Sequence, residues 1–209
     1  MKRILLYGFS GFDRFVRNPS RDVVNALAAE RIVGVKVDKV IFKVAYAHVE
    51  QKVPRLLAKA GYDAVIGFGL ARGATGIRLE KEAHNLINTN TADTDGIHPN
   101  RRKIIRGAPD SYRSNVSLTR LRSALIKENI PAAVSHDAGG YVCNFTYYHI
   151  LHQLRFRQSR SQCLFVHIPP SCEIVCRMKG AAASLPQAVL TRAGRLIISK
   201  VLQAGYARH

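Results

Sequence analysis

Short apolar runs of strand character alternate along this chain with longer runs of helical period. That alternation restricts the fold more than any other feature. Ile4 to Gly8 reads as a buried strand. After a loop holding Pro19, the stretch from Ser20 to Ala28 reads as a helix with Ser20 as its N-cap. Val35 to Val44 alternates apolar and polar residues like a half-exposed strand, and His48 to Ala60 is helical in pattern despite Pro54. Asp63 to Gly69 is a buried strand running into a glycine turn, whereas Glu80 to Thr94 is polar and without a clear period. Leu118 to Glu128 puts Leu118, Leu121, Ala124 and Leu125 on one helical face. Pro131 to Ser135 is a strand, Cys143 to Arg155 a helix, Leu164 to Ile168 a strand stopped by Pro169 and Pro170, and Pro186 to Leu202 a closing helix. Strands separated by helices predict an α/β fold, a three-layer αβα sandwich around a mostly parallel sheet. With 209 residues and no break in composition, one domain over 1–209 is expected.

Composition removes several function classes. Apolar residues make up 47% of the chain, enough for a sizeable core. No apolar run reaches the ~20 residues of a membrane span, and Met1 to Gly8 lacks a small-residue cleavage site, so a cytoplasmic protein without a membrane partner is expected. Four cysteines in 209 residues are too few for a disulfide scaffold, and Cys172 and Cys176 lack the companions of a zinc site, so no metal is expected. Lys and Arg total 32 against 14 Asp and Glu, a net charge of +18. The bases are scattered from Lys2 to Arg208, with only short groups at Arg101-Arg102-Lys103 and Arg155 to Arg160. This pattern suits solubility and attraction to anions better than a nucleic-acid footprint, so no nucleic-acid partner is expected.

In such sheets, sites gather where strands end and helices begin. Three segments combine that position with reactive side chains. In Ser135-His136-Asp137-Ala138-Gly139-Gly140-Tyr141-Val142-Cys143-Asn144, a strand ends, two glycines turn the chain, and Cys143 falls in the first turn of a helix. Unpaired N–H groups and the positive end of the helix dipole there favour a thiolate and could hold an oxyanion. A small buried cysteine fits the same residue type. In Leu164-Phe165-Val166-His167-Ile168-Pro169-Pro170, an imidazole at a strand end could serve as base and then acid, with His136 its rival. In Gly67-Phe68-Gly69-Leu70 through Glu80, the glycines lack both dinucleotide spacing and a P-loop lysine, so no nucleotide cofactor is expected. That segment ends at Glu80, a carboxylate able to orient an imidazole, with Glu82 and Asp93 as competitors.

Taken in order, these segments resemble the pyroglutamyl peptidase I (pyrrolidone-carboxylate peptidase) family. The resemblance rests on Leu5-Leu6-Tyr7-Gly8-Phe9-Ser10-Gly11-Phe12 with Asn18-Pro19-Ser20, on Gly69-Leu70-Ala71 through Glu80 with Ala83-His84-Asn85-Leu86, on Val142-Cys143-Asn144 with the strand before it, and on His167-Ile168-Pro169. It implies Cys143 as nucleophile, His167 as base and acid, and Glu80 as the orienting carboxylate. Phe9, Phe12 and Val142 would line an apolar pocket for a lactam ring, with Leu70 beside it and Asn18 supporting the loop. The implied activity is that of a cysteine omega-peptidase. It removes an N-terminal pyroglutamyl residue from peptides through a thioester, with no metal or cofactor, and works as a homotetramer. The chain departs from the family where Gln is commonly found at Leu70, Gly-Arg at Gly73-Ala74, Arg at Asn90, and a glycine-rich loop at Asp13-Arg14-Phe15-Val16. The same triad would also serve a thiol amidohydrolase acting on another cyclic or blocked acyl group. An idle triad would leave a binding protein with a basic surface.

Overall fold

A computed structural model describes residues 1–12, 17–99, 102–177 and 182–204, so the opening loop Asp13 to Val16 and Arg101 of the short basic group lie outside the described residues. Six strands form the central sheet: β1 (Lys2–Phe9), β2 (Val35–Phe42), β3 (Ala64–Leu70), β4 (Ile77–Glu80), β7 (Ala132–Ser135) and β8 (Gln162–Ile168). Their order is β2-β1-β3-β8-β4-β7, and β5 (Glu82–His84) pairs with β6 (Ser111–Arg113) in a separate two-stranded sheet. β2, β1, β3 and β8 run parallel, whereas β4 pairs antiparallel to β8 and carries β7 parallel to itself. The α/β architecture with a mostly parallel sheet is therefore as expected, with one reversal at β4.

Alternation along the strands sorts the two cores. Ile4, Leu6, Ile66, Phe68, Leu164 and Val166 face one side and pack with residues of α1 (Pro19–Ala29), α3 (Leu118–Lys127) and α6 (Gln187–Ala204). Leu5, Tyr7, Phe9, Val65, Cys163 and Phe165 face the other, with α2 (Tyr46–Lys59) and α4 (Val142–Phe156). Period-2 side-chain alternation produces this split once both faces of a sheet are covered. α4 is buried nearly all round, because it is wedged between the sheet, α2 and the two-stranded β5–β6 sheet.

The start of α1 differs from the sequence expectation. Its N-cap is Asn18, whose side-chain oxygen accepts from the backbone N–H of Ser20 at 3.1 Å, and Pro19 occupies the first helical turn. Proline suits that position because its missing N–H would have no helical acceptor. Ser20 lies inside the helix and works as a latch: its hydroxyl donates to Asn18 Oδ1 at 2.8 Å and accepts from the Phe9 N–H at 3.1 Å. Asn18 Nδ2 in turn donates to the Ser10 carbonyl at 3.1 Å, so the end of β1 and the start of α1 are one hydrogen-bonded unit.

Rows of side chains cross the sheet on the α4 side. Tyr7 pairs with Gly67, Gly67 with Phe165, and Phe165 with Glu80. Tyr7 is fully buried and its ring stacks on Phe165 at 5.9 Å, lying across the space a side chain at 67 would need. A methyl group on Gly67 would fall inside the Tyr7 ring. Gly67→Ala is thus expected to destabilise the protein by about 2–3 kcal/mol through overpacking, lowering Tm by roughly 5–10 °C. A thermal unfolding midpoint within about 2 °C of wild type would show that the Tyr7 ring can move aside.

Candidate active site

The next row on the same face holds the candidate residue His167, and Glu80 stands in the row before it. His167, two residues beyond Phe165 on β8, pairs with Gly69 of β3 on one side and Arg78 of β4 on the other. Glu80 sits opposite Phe165, so the antiparallel turn of β4 brings its side chain to the same face as His167. Glu80 Oε1 accepts from His167 Nδ1 at 2.8 Å. Both are enclosed: Glu80 is 0% exposed and His167 7%. Oε2 of Glu80 is buried without a hydrogen-bond partner among the described residues.

Cys143 is the second residue of α4, following the N-cap Tyr141. The turn before it needs glycine at 139, where φ is +82°, and the Gly139 N–H is held by Asp137 Oδ1 at 2.7 Å. The first N–H groups of α4 have no acceptor within the helix, and Tyr141 supplies no side-chain cap. Cys143 is half-buried, and its Sγ lies against Gly69, the strand partner of His167. Room for its sulfur comes from Gly69: a methyl group there would stand 3.0 Å from Cys143 Sγ and 2.6 Å from Phe165 Cζ. Gly69 is read in the sequence only as a turn residue; in the structure it is the strand gap into which the sulfur fits.

The electrostatics of the row favour a charged imidazole. Burial works against the charge on His167, but its interactions with Cys143 and with Glu80, which holds Nδ1, outweigh it and raise the pKa from 6.5 to about 9. The remaining cysteines differ. Cys163 is 1% exposed and burial pushes its thiol up, Cys172 Sγ contacts the Ser184 hydroxyl at 3.4 Å, and Cys176 is exposed.

The rival groups have other partners. Glu82 faces His136 at 3.4 Å and Arg113 at 3.8 Å, and the His136 side chain is 63% exposed. Asp93 accepts backbone N–H groups from Tyr46, Asp95 and Ile97, which fastens the loop after β5 to the start of α2. Two residues without an assigned role in the sequence reading brace the site. Asn144, fully buried, accepts from the His84 N–H at 2.9 Å and donates to the carbonyls of His84 at 2.9 Å and Leu86 at 3.0 Å, tying the helix that bears Cys143 to β5. Tyr147 donates to the Glu80 carbonyl at 3.3 Å. An asparagine directly after the cysteine is the only sequence trace of the first.

The residues expected around the pocket are spread over three elements. Phe9 is 1% exposed and its ring lies 6.3 Å from Phe165 and 6.2 Å from Phe42. Phe12 is half-buried, with its ring 6.3 Å from that of Tyr141. Val142 is buried immediately before Cys143. Leu70 ends β3 next to Gly69 and pairs with Ile168, while Asn18 holds the loop carbonyl of Ser10 as described. Among the described residues, no group of three His, Cys, Asp or Glu side chains could hold a metal ion.

The profile of the family described as pyroglutamyl peptidase matches residues 2–204. The chain belongs to the pyroglutamyl peptidase family. Within that family it is 30% identical over 203 residues to a pyrrolidone-carboxylate peptidase of Coprothermobacter proteolyticus, covering 97% of this chain and 98% of the relative. A pyrrolidone-carboxylate peptidase of Thermococcus onnurineus is 34% identical over 167 residues, 80% of this chain and 83% of the relative. The crystal structure of a pyrrolidone carboxyl peptidase from Fervidobacterium islandicum superposes with a TM-score of 0.93 at 31% identity, covering 97% of this chain and 99% of that one. The enzyme assignment and the α/β sandwich implied by the sequence resemblance therefore hold for this pyroglutamyl peptidase family member.

Proposed function

We propose that Cys143, His167 and Glu80 are the catalytic triad with which this pyroglutamyl peptidase hydrolyses the amide after an N-terminal pyroglutamyl residue. The observation that carries the assignment is the buried His167–Glu80 hydrogen bond, in a strand row where Gly69, the partner of His167, leaves room for the Cys143 sulfur at the start of α4. His167 Nδ1 is taken by Glu80, which leaves Nε2 to accept the thiol proton. The sulfur attacks the pyroglutamyl carbonyl carbon, and the oxyanion is held by the unpaired N–H groups that open α4. As the C–N bond breaks, His167 delivers its proton to the leaving amine and a thioester remains. His167 then takes a proton from water, which attacks the thioester. Collapse of the second oxyanion releases pyroglutamate and returns the proton to sulfur.

A lactam has no free amine, so its pocket needs apolar walls with a few hydrogen bonds and no carboxylate for an ammonium. Phe9, Phe12 and Val142 supply such walls in this reading, Leu70 adjoins them at the end of β3, and Asn18 holds the loop that carries Phe12. The reading extends to one domain over 1–209, acting on pyroglutamyl peptides in the cytoplasm as a homotetramer. No cofactor, metal, membrane or nucleic-acid partner enters it. Its support is the family resemblance and the scatter of the basic residues. Among the described residues, no helix is long and apolar enough to cross a membrane.

Iodoacetamide tests the nucleophile. At neutral pH it is expected to alkylate Cys143 faster than the exposed Cys176, with hydrolysis of a pyroglutamyl anilide lost in step with labelling at 143. Activity surviving full modification of Cys143 would remove it from the reaction. Turnover of other acyl anilides in place of the pyroglutamyl one would move the enzyme to a different amide substrate.

A further inference from the structure

The chain that carries Glu80 continues as a rail for the turn that presents Cys143. The Lys81 N–H donates to the Ser135 carbonyl at 2.7 Å, and the Asn88 N–H donates to the Gly140 carbonyl at 3.0 Å. Between them, His84 Nε2 donates to the His136 carbonyl at 3.0 Å. The approach at Gly140 is close: a methyl group there would stand 2.5 Å from the Asn88 carbonyl oxygen. On the helix itself, the Tyr147 hydroxyl donates to the Glu80 carbonyl. Residues 80–88 and 135–147 thus share one hydrogen-bonded seam.

Asn144 lies within that seam and uses its whole amide. Oδ1 accepts from the His84 N–H, and Nδ2 donates to the carbonyls of His84 and Leu86. The side chain thereby treats His84 as a neighbouring strand would, with one bond to its N–H and one to its carbonyl. No hydroxyl has the two donors and the acceptor that this needs, and a carboxylate would set its charge against two carbonyl oxygens. Asn144 is 0% exposed, so solvent has no ready path to replace the bonds. It follows Cys143 directly in the first turn of α4, so a slip of the helix along β5 would carry the sulfur with it. The other end of the seam is Glu80, whose Oε1 holds His167 Nδ1.

We propose that Asn144 is a positioning residue for the reaction, its three hydrogen bonds holding the Cys143 sulfur in place against the Glu80–His167 pair. This rests on the triad reading of the site. Asn144 touches no reacting atom there and acts only through where it holds the first turn of α4. The N–H groups proposed to hold the oxyanion open the same turn, so they move with the sulfur. Attack and proton transfer need near-contact geometry, and a misplacement of about 1 Å can cost on the order of 10²-fold in rate.

Asn144→Ala is expected to lower kcat for a pyroglutamyl anilide by roughly 10–100-fold, with KM within about threefold of wild type. Alkylation of Cys143 by iodoacetamide at neutral pH should slow by about fivefold or more, because a sulfur drawn away from the imidazole is less often a thiolate. The His167 midpoint should fall from about 9 as the contribution of the sulfur weakens. Asn144→Ser keeps a hydroxyl for one of the three bonds and should lie between alanine and wild type in every readout. It also serves as the test if the alanine variant does not fold. Asn115, which bridges the Cys163 N–H and the Ser161 carbonyl at 2.9 Å each, is the control outside the seam. Asn115→Ala should lower Tm yet leave kcat, alkylation and the His167 midpoint close to wild type. A folded Asn144 variant with wild-type alkylation rate and His167 midpoint overturns the inference, whatever its Tm. Equal losses in Asn115→Ala overturn it as well, by making the effect one of general stability. A wild-type enzyme inert toward the anilide would remove the pyroglutamyl substrate, while alkylation and the midpoint would still decide the role of Asn144.

Discussion

Replacing Cys143 by alanine is expected to lower kcat for a pyroglutamyl anilide by about 10⁴-fold or more, because the proposed mechanism then loses its covalent nucleophile and keeps only binding and the N–H groups at the start of α4. The substitution deletes one sulfur from a half-buried position beside Gly69, so the fold should persist, and circular dichroism can confirm it. A second readout separates the triad from a cysteine that merely packs there. Burial opposes the charge on His167, but its interactions with Cys143 and Glu80 raise its pKa to about 9. A folded-state pKa above the ordinary 6.5 means that protonated His167 stabilises the fold fully below pH 6.5. That contribution is lost as pH rises through about 9. Cys143→Ala removes the first of the raising interactions, so the His167 midpoint, followed by its ring ¹³C shift, should move down from about 9. The alkaline loss of stability should then begin at lower pH. An unchanged midpoint would show that the sulfur and the imidazole do not share a proton.

How much of this was open to reading in the sequence depends on the range of the interactions. The helix bearing Cys143, the strand carrying His167 and the paired glycines before Cys143 are local patterns, and each is found where the sequence puts it. Order among strands is non-local. Nothing in Ile77 to Glu80 announces that β4 runs against β8, yet that reversal delivers the Glu80 side chain to His167. A count of alternating strands and helices cannot show it. Competing carboxylates at Glu82 and Asp93 could be dismissed only when their partners, His136 with Arg113 and three backbone N–H groups, were in place. The misplaced cap at Ser20 has a local cause, since a proline following the true cap reads equally well as the end of a loop. Gly67 and Gly69 are the clearest case of meaning supplied by neighbours. Alternate glycines in a strand mark close approach of something, and only the fold says that it is the Tyr7 ring at one and the Cys143 sulfur at the other.

Glu80→Gln is the sharper probe of the triad because it keeps shape and removes charge. In the wild type, Oε1 requires the proton of neutral His167 to be on Nδ1, which leaves Nε2 with the lone pair that the proposed proton transfer needs. A glutamine amide can donate to Nδ1 instead, which holds the neutral ring with its proton on Nε2 and leaves it no lone pair for the thiol proton. It also deletes the negative charge that helps to raise the His167 pKa, so the midpoint should fall from about 9. Both effects oppose proton transfer, and kcat should drop by roughly 10²–10⁴-fold with a much smaller change in KM. Glu80→Asp, which keeps the charge but shortens the reach, should recover part of the rate. Burial sharpens the comparison further. Glu80 is 0% exposed, so water has no ready path to replace the carboxylate oxygen. A Glu80→Gln enzyme within about threefold of wild-type kcat, with His167 still titrating near 9, would reduce the carboxylate to a packing residue and leave Cys143 and His167 acting as a dyad.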